Sequence, residues 1–374
     1  NEYSILVNSF HRLLLKTFVL VIAILFLSVQ IDISSIGKLS LYNKIFKGRV
    51  RLPFGENSSK TYNITLNNLD ALFASHEING LVKRVNEYRI FVIGDSSNWG
   101  ILLRPDETLA SLIETGLLNC SGKEVNVFNL GYPTLSLLKD VMVMEYALKY
   151  EPDLIIWPLT LESFPVEKQL TNPLVKENLH RIRLIDQEYG MFSEIDISDD
   201  NESLLDRSII GHRKEIADLI RLQVYGFLWS ATGIDQSYPT EFPKAQIDLE
   251  NTLDFYGVNA PDDLVPTLEF SMLNTMVKIA GEIPILFVNE PILISDGINS
   301  DVRYNFYYPI WAYDEYRSYL GEYLAERNWR YLDLWNIIPI SEFTNSAIHL
   351  SPEGERSFSS VVINYLNETI CNVE

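Results

Sequence analysis

Residues 89–97 read Arg89-Ile90-Phe91-Val92-Ile93-Gly94-Asp95-Ser96-Ser97. A short apolar run stopped by glycine suits a strand buried on both faces of a sheet. Gly94 admits the sharp turn that must follow. A serine just beyond it stands at the strand's carboxyl end, where open α/β sheets bind their ligands. Backbone N–H groups at the start of the next helix can face a developing oxyanion. Ser96 is therefore the candidate nucleophile.

The pattern repeats on either side. Residues 125–130 (VNVFNL) are strand-like and end at Gly131, and residues 153–159 (DLIIWPL) form a third strand pattern. Residues 283–288 and 330–335 supply two more. Between them, residues 107–118, 136–150, 314–328 and 351–367 have helical spacing. Strands alternating with helices predict a parallel sheet covered on both faces, a three-layer α/β/α domain over residues 86–374. The alternation lapses over about 163–282, which reads as a mostly helical insertion. Within it, residues 212–232 form a long amphipathic helix that suits either packing on the domain or a membrane-facing or partner-facing surface.

Residues 13–31 are almost wholly apolar, interrupted by Lys16, and residues 18–27 (FVLVIAILFL) carry no charge. That length approaches what a bilayer requires, and no clear signal-peptidase site follows. The expectation is a membrane anchor at 13–31 after a short tail at 1–12, with 32–85 as a connector. Lys38, Lys44, Lys47, Arg49 and Arg51 outnumber Arg12 and Lys16, which taken alone favours a cytoplasmic main domain. Charges upstream of Asn1 would enter the same balance, and the reading carried forward is an extracytoplasmic main domain at the cell membrane.

The net charge of −20 argues against nucleic acid as a partner. The expected partners are membrane lipid, through residues 13–31, and a membrane protein. Cys120 and Cys371 lie in no CxxC or Cys/His cluster, so no metal site is expected. They form either one disulfide or two free thiols. No dinucleotide or phosphate-loop fingerprint is present, and no cofactor is expected. Sequons occur at Asn57, Asn63, Asn119, Asn201 and Asn367.

A nucleophilic serine needs a base. Of the five histidines, His349 has the suggestive context, Ile348-His349-Leu350-Ser351-Pro352-Glu353-Gly354. It lies in a loop before a helix that Ser351 caps and Pro352 opens. Gly94-Asp95-Ser96 after the first strand, Gly131 after the second and HLSPEG before the last helix together resemble the blocks of SGNH (GDSL) hydrolases. The resemblance covers roughly residues 88–370, apart from the insertion. The segment GDSSNWGILLRPDETLASLIE is similar to membrane-tethered members near polysaccharide and teichoic-acid acylation systems. It implies a flavodoxin-like frame, Ser96 as nucleophile, His349 as base, and Ser96 and Gly131 N–H groups in the oxyanion hole.

Two positions depart from that pattern. The aspartate expected three residues before the histidine is Ser346, preceded by Asn345. The oxyanion-hole asparagine expected after the third strand is Glu162. Glu342, Glu353 and Asp333 are candidate replacements for the orienting acid. Asn289 and Glu290, closing the strand at 283–288, and Glu162 itself are candidate substrate contacts. The aromatic loop at 303–309 suits either a sugar ring or a buried cluster. The resemblance implies a serine esterase or O-acyltransferase acting on acylated envelope glycans or lipids. The two departures suit, alternatively, a degenerate domain serving as an accessory subunit of a membrane assembly.

Overall fold

The computed structural model describes residues 2–29, 41, 43–54, 67–191, 208–232 and 244–372. The sequons at Asn57, Asn63 and Asn201 lie outside these residues. The chain opens with α1 (Glu2–Ser28), a helix long and apolar enough over Ser9–Ser28 to span a membrane. After α2 (Leu69–Ser75) come β1 (Glu87–Val92), α3 (Ser96–Trp99), α4 (Leu109–Gly116), β2 (Asn119–Cys120), β3 (Lys123–Asn129), α5 (Leu137–Ala147) and β4 (Leu154–Leu159). The helical stretch holds α6 (Val166–Thr171), α7 (Pro173–Lys176), α8 (Leu179–Tyr189), α9 (Arg213–Thr232) and α10 (Ser271–Ala280). The chain closes with β5 (Ile285–Asn289), α11 (Ile310–Glu326), β6 (Arg330–Asp333) and α12 (Pro352–Leu366).

The sheet order is β2-β3-β1-β4-β5-β6, parallel throughout except for the short β2, which runs antiparallel to β3. Period-two alternation sends each strand's side chains to two separate cores. Phe91, Ile155, Trp157 and Phe287 face one core, together with residues of α5, α10 and α11. Ile90, Val92, Ile156 and Val288 face the other, beside α4 and α12. The architecture is the three-layer α/β/α sandwich that the alternation predicts.

The stretch at 32–85 does more than connect. In its described parts Leu52, Leu69, Leu72, Phe73 and Ile78 are fully buried in the first core. Asn68 caps α2 by accepting from the N–H of Ala71 at 2.9 Å. Cys120 and Cys371 form a disulfide that ties β2 to the end of the chain.

The chain runs from β1 to β3 on one side, then crosses to β4 on the other. β1 is thus the topological switch point, and the crevice outside its carboxyl end is where this kind of sheet places a ligand. The turns after β1, β3, β4 and β5 all open towards that edge.

Candidate active site

Gly94 makes the turn with φ of +140°, a backbone conformation reserved for glycine. Asp95 caps α3, its Oδ1 accepting from Ser97 N–H at 2.8 Å and from Ser97 Oγ at 2.9 Å. Ser96 becomes the first residue of α3, where its own N–H has no intrahelical acceptor. Gly100, left-handed at φ +85°, ends the helix after one turn. The sequence thus builds a rigid platform with Ser96 at its leading edge.

The opposite side comes from the loop before α12. Phe343 pairs with Leu350, and the amide and hydroxyl of Thr344 both donate to the His349 carbonyl, at 2.8 Å and 3.1 Å. Ser351 caps α12 by accepting from Gly354 N–H at 3.1 Å. These bonds close the loop and aim the His349 ring inward. Its Nε2 lies 2.8 Å from Ser96 Oγ, and its Nδ1 lies 2.8 Å from Asn345 Oδ1. An amide oxygen can only accept, so Nδ1 carries the proton and Nε2 is left free to accept from Ser96. The three side chains form a serine–histidine–asparagine relay within hydrogen-bond reach.

Asn345 is the residue that sequence reasoning passed over. The family spacing directs attention to position 346, three residues before the histidine. Here the loop holds the ring with the residue four before it. Ser346 instead lies near the phenol of Tyr307. The three carboxylates proposed as substitutes are occupied elsewhere. Glu342 bonds Ser351, Glu353 pairs with Arg356, and Asp333 pairs with Arg317 and Asn289. With a neutral partner and deep burial, His349 is pushed down to about 4 by the desolvation of its charged form.

Gly131 packs against α3 so closely that a Cβ there would lie 2.6 Å from Trp99 N. Only glycine permits this approach, which brings the second turn beside Ser96. The Gly131 N–H donates to Asn129 Oδ1 at 3.1 Å, so its use in an oxyanion hole requires that bond to be exchanged. Glu162, at the position of the missing third donor, is buried and held by Lys168 and Tyr256, while its own N–H donates to Tyr308 Oη at 3.3 Å. The Lys168 ammonium balances its charge.

Asn289 and Glu290, expected as substrate contacts, are buried. Asn289 donates to Asp333 at 2.9 Å and accepts from Tyr313 at 3.3 Å. Glu290 lies beneath the serine turn, hydrogen-bonded to Ser97, whose hydroxyl also contacts Asp95. Ser97 Oγ donates towards both carboxyls. Burial, then the negative charge of Asp95, raises Glu290 well above the usual carboxylate range.

Lys139, at the start of α5 and fully buried, completes the support. Its ammonium donates to the carbonyls of Gly94 at 2.6 Å and Tyr132 at 3.1 Å, and pairs with Asp140 at 2.5 Å. One cation thereby ties the first turn to the second. Lys139→Met is expected to destabilise the fold by about 3–5 kcal/mol, because it strands buried carboxylates. Burial already raises Asp140 to about 6, so the deficit should shrink between pH 7 and pH 5 as that group protonates. Urea unfolding at the two pH values checks this, and an unchanged midpoint at pH 7 contradicts it.

No protein-family model and no curated protein matches the chain. Solved structures similar to it include a carbohydrate acetylesterase family member from Sinorhizobium meliloti, at 13% identity and a TM-score of 0.34 over 75% of this chain and 98% of that one. The aryl esterase of M. smegmatis is similar at 13% identity and a TM-score of 0.33, over 76% of this chain and 100% of its own. At these scores neither likeness carries an argument about activity. The reading of the site rests on its own geometry.

Proposed function

We propose that the chain is a membrane-anchored serine esterase or O-acyltransferase acting on acylated cell-envelope glycans or lipids. The observation that carries this reading is the continuous relay Ser96–His349–Asn345, with both bonds at 2.8 Å. Ser96 Oγ attacks the ester carbonyl as its proton passes to His349 Nε2. The resulting oxyanion faces the Ser96 N–H, with the Gly131 N–H as second donor once it leaves Asn129. Collapse breaks the ester bond, and His349 returns the proton to the departing alcohol. Water or an acceptor hydroxyl, deprotonated by His349, then releases the acyl group from Ser96. Helix α1 supports anchoring. The Cys120–Cys371 disulfide supports an oxidising, extracytoplasmic location.

A second reading, an accessory domain without turnover, is favoured by Glu162 at the third-donor position and by a neutral orienting residue. Losing one oxyanion donor costs roughly 10²–10³ in rate, which slows an enzyme without excluding one. Release of p-nitrophenol from the acetyl ester by the full chain, measured against Ser96→Ala, separates the two. Serine-dependent turnover supports the enzyme. Its absence, with a stable stoichiometric complex with membrane proteins, supports the accessory role.

A further inference from the structure

Helix α9 carries a feature that the site does not use. One side, with Leu219 and Leu222, is buried in the first core. The other carries Ile220, Val224, Phe227 and Leu228, whose exposures run from 49% to 59%. The spacing i, i+4, i+7, i+8 places these four in one stripe. A lone exposed leucine means little, but a continuous apolar stripe marks a docking surface.

Its neighbours indicate what covers it. The N–H of Ile209, just before α9, donates to the hydroxyl of Ser28 at 3.2 Å, and Ser28 ends α1. Leu41 N–H donates to Gln223 on α9 at 2.9 Å, and Phe46 packs edge-on against Phe227 with ring centroids 5.2 Å apart. The segment that leads into α9 therefore meets the end of the apolar helix α1. In a chain of net charge −20, the first turn of α9 presents Arg213 and Lys214 exposed to solvent. Arg221 follows one face over, paired with Asp218 at 2.9 Å. Apolar side chains flanked by cations fit the boundary between lipid headgroups and acyl chains.

We propose that α9 lies in the membrane interface, its Ile220–Val224–Phe227–Leu228 stripe embedded in the leaflet from which α1 emerges, fixing the domain against the bilayer. This inference rests on the reading of α1 as an anchor. Both native cysteines are in the disulfide, so Val224→Cys, Phe227→Cys and Leu118→Cys can each carry one environment-sensitive fluorophore. Leu118 is exposed and adjoins the opposite core. The full chain is reconstituted in phosphatidylcholine vesicles with a minority of phosphatidylglycerol and nitroxide-labelled lipid. Quenching at 224 and 227 is expected to exceed that at 118 by about two-fold or more. In a label at Leu228→Cys, the added change Val224→Asp should reduce it. Resistance of the chain to carbonate extraction reports α1 separately. An extraction-resistant chain with equal quenching at all sites overturns the α9 inference while leaving the anchor intact. Labels at 224 and 227 that are shielded from lipid and cross-link between chains also overturn it, assigning the stripe to a second copy.

Discussion

Ser96→Ala is expected to lower kcat/KM for acyl-ester hydrolysis by roughly 10³-fold or more, leaving the fold intact. The size of the effect follows from what the hydroxyl does. In the proposed mechanism it is the atom that forms the acyl bond, and it is the hydrogen-bond partner of His349 Nε2 at 2.8 Å. Ser97, the adjacent hydroxyl, is committed to Asp95 and Glu290 in the support beneath the turn. Stability should change by only about 1 kcal/mol, since the variant leaves a single imidazole nitrogen short of a donor. KM should change little, because the loss falls on the transition state. Steady-state kinetics with circular dichroism checks both halves. A variant as active as the parent would remove Ser96 from the mechanism.

Asn345→Asp is expected to raise kcat, by about 10- to 100-fold. In the parent, Asn345 already holds the imidazole in the productive tautomer, which is most of what an orienting residue does. It offers no charge, so the imidazolium formed as Ser96 attacks is poorly stabilised, and burial alone pushes His349 down to about 4. A carboxylate at 345 favours the charged ring. The sign follows directly: the acid limb of kcat/KM, near pH 4 in the parent, should move upward in the variant. Asn345→Ala, which loses the acceptor, should instead lower kcat at every pH. The same depressed histidine makes the native state lose stability as pH falls from its ordinary 6.5 through about 4, because the unfolded chain takes up the proton first. A pH–rate profile of the three proteins tests the assignment. An acid limb that stays put in Asn345→Asp contradicts it.

Much of the frame was legible because buried parallel strands leave strong sequence marks. The runs at 89–93, 125–130 and 153–159 lie within two residues of β1, β3 and β4 at each end, and glycine punctuates the first two. The helix read at 351–367 is α12 with one residue added at each end, since Ser351 and Pro352 signal its start chemically. Short helices such as α6 and α7 carry too few turns for periodicity to register. Strand order is set by crossovers between distant segments, which no local pattern records.

The site divides along the same line. Ser96 and His349 sit at element boundaries, where glycine and capping residues draw attention. Asn345 was hidden because the loop shifts the partner by one position from the family spacing. Lys139 was hidden because a buried lysine inside a helical pattern looks like an ordinary polar face. Its role depends on two carbonyls, of Gly94 and Tyr132, brought together only by the fold. Asn289 and Glu290 show the converse. Their place at a strand's carboxyl end suggests substrate contact, and the fold adds bonds to Tyr313 of α11 and to the serine turn that no local pattern records.

In the proposed mechanism Ser96 is activated by His349 in the native protein. Intact-mass measurement of the folded chain after exposure to a fluorophosphonate tests it most directly. One adduct per chain is expected, mapped by peptide sequencing to Ser96, and lost in His349→Ala although the serine remains. A native chain that takes up no adduct, or takes it up equally well without His349, would contradict it.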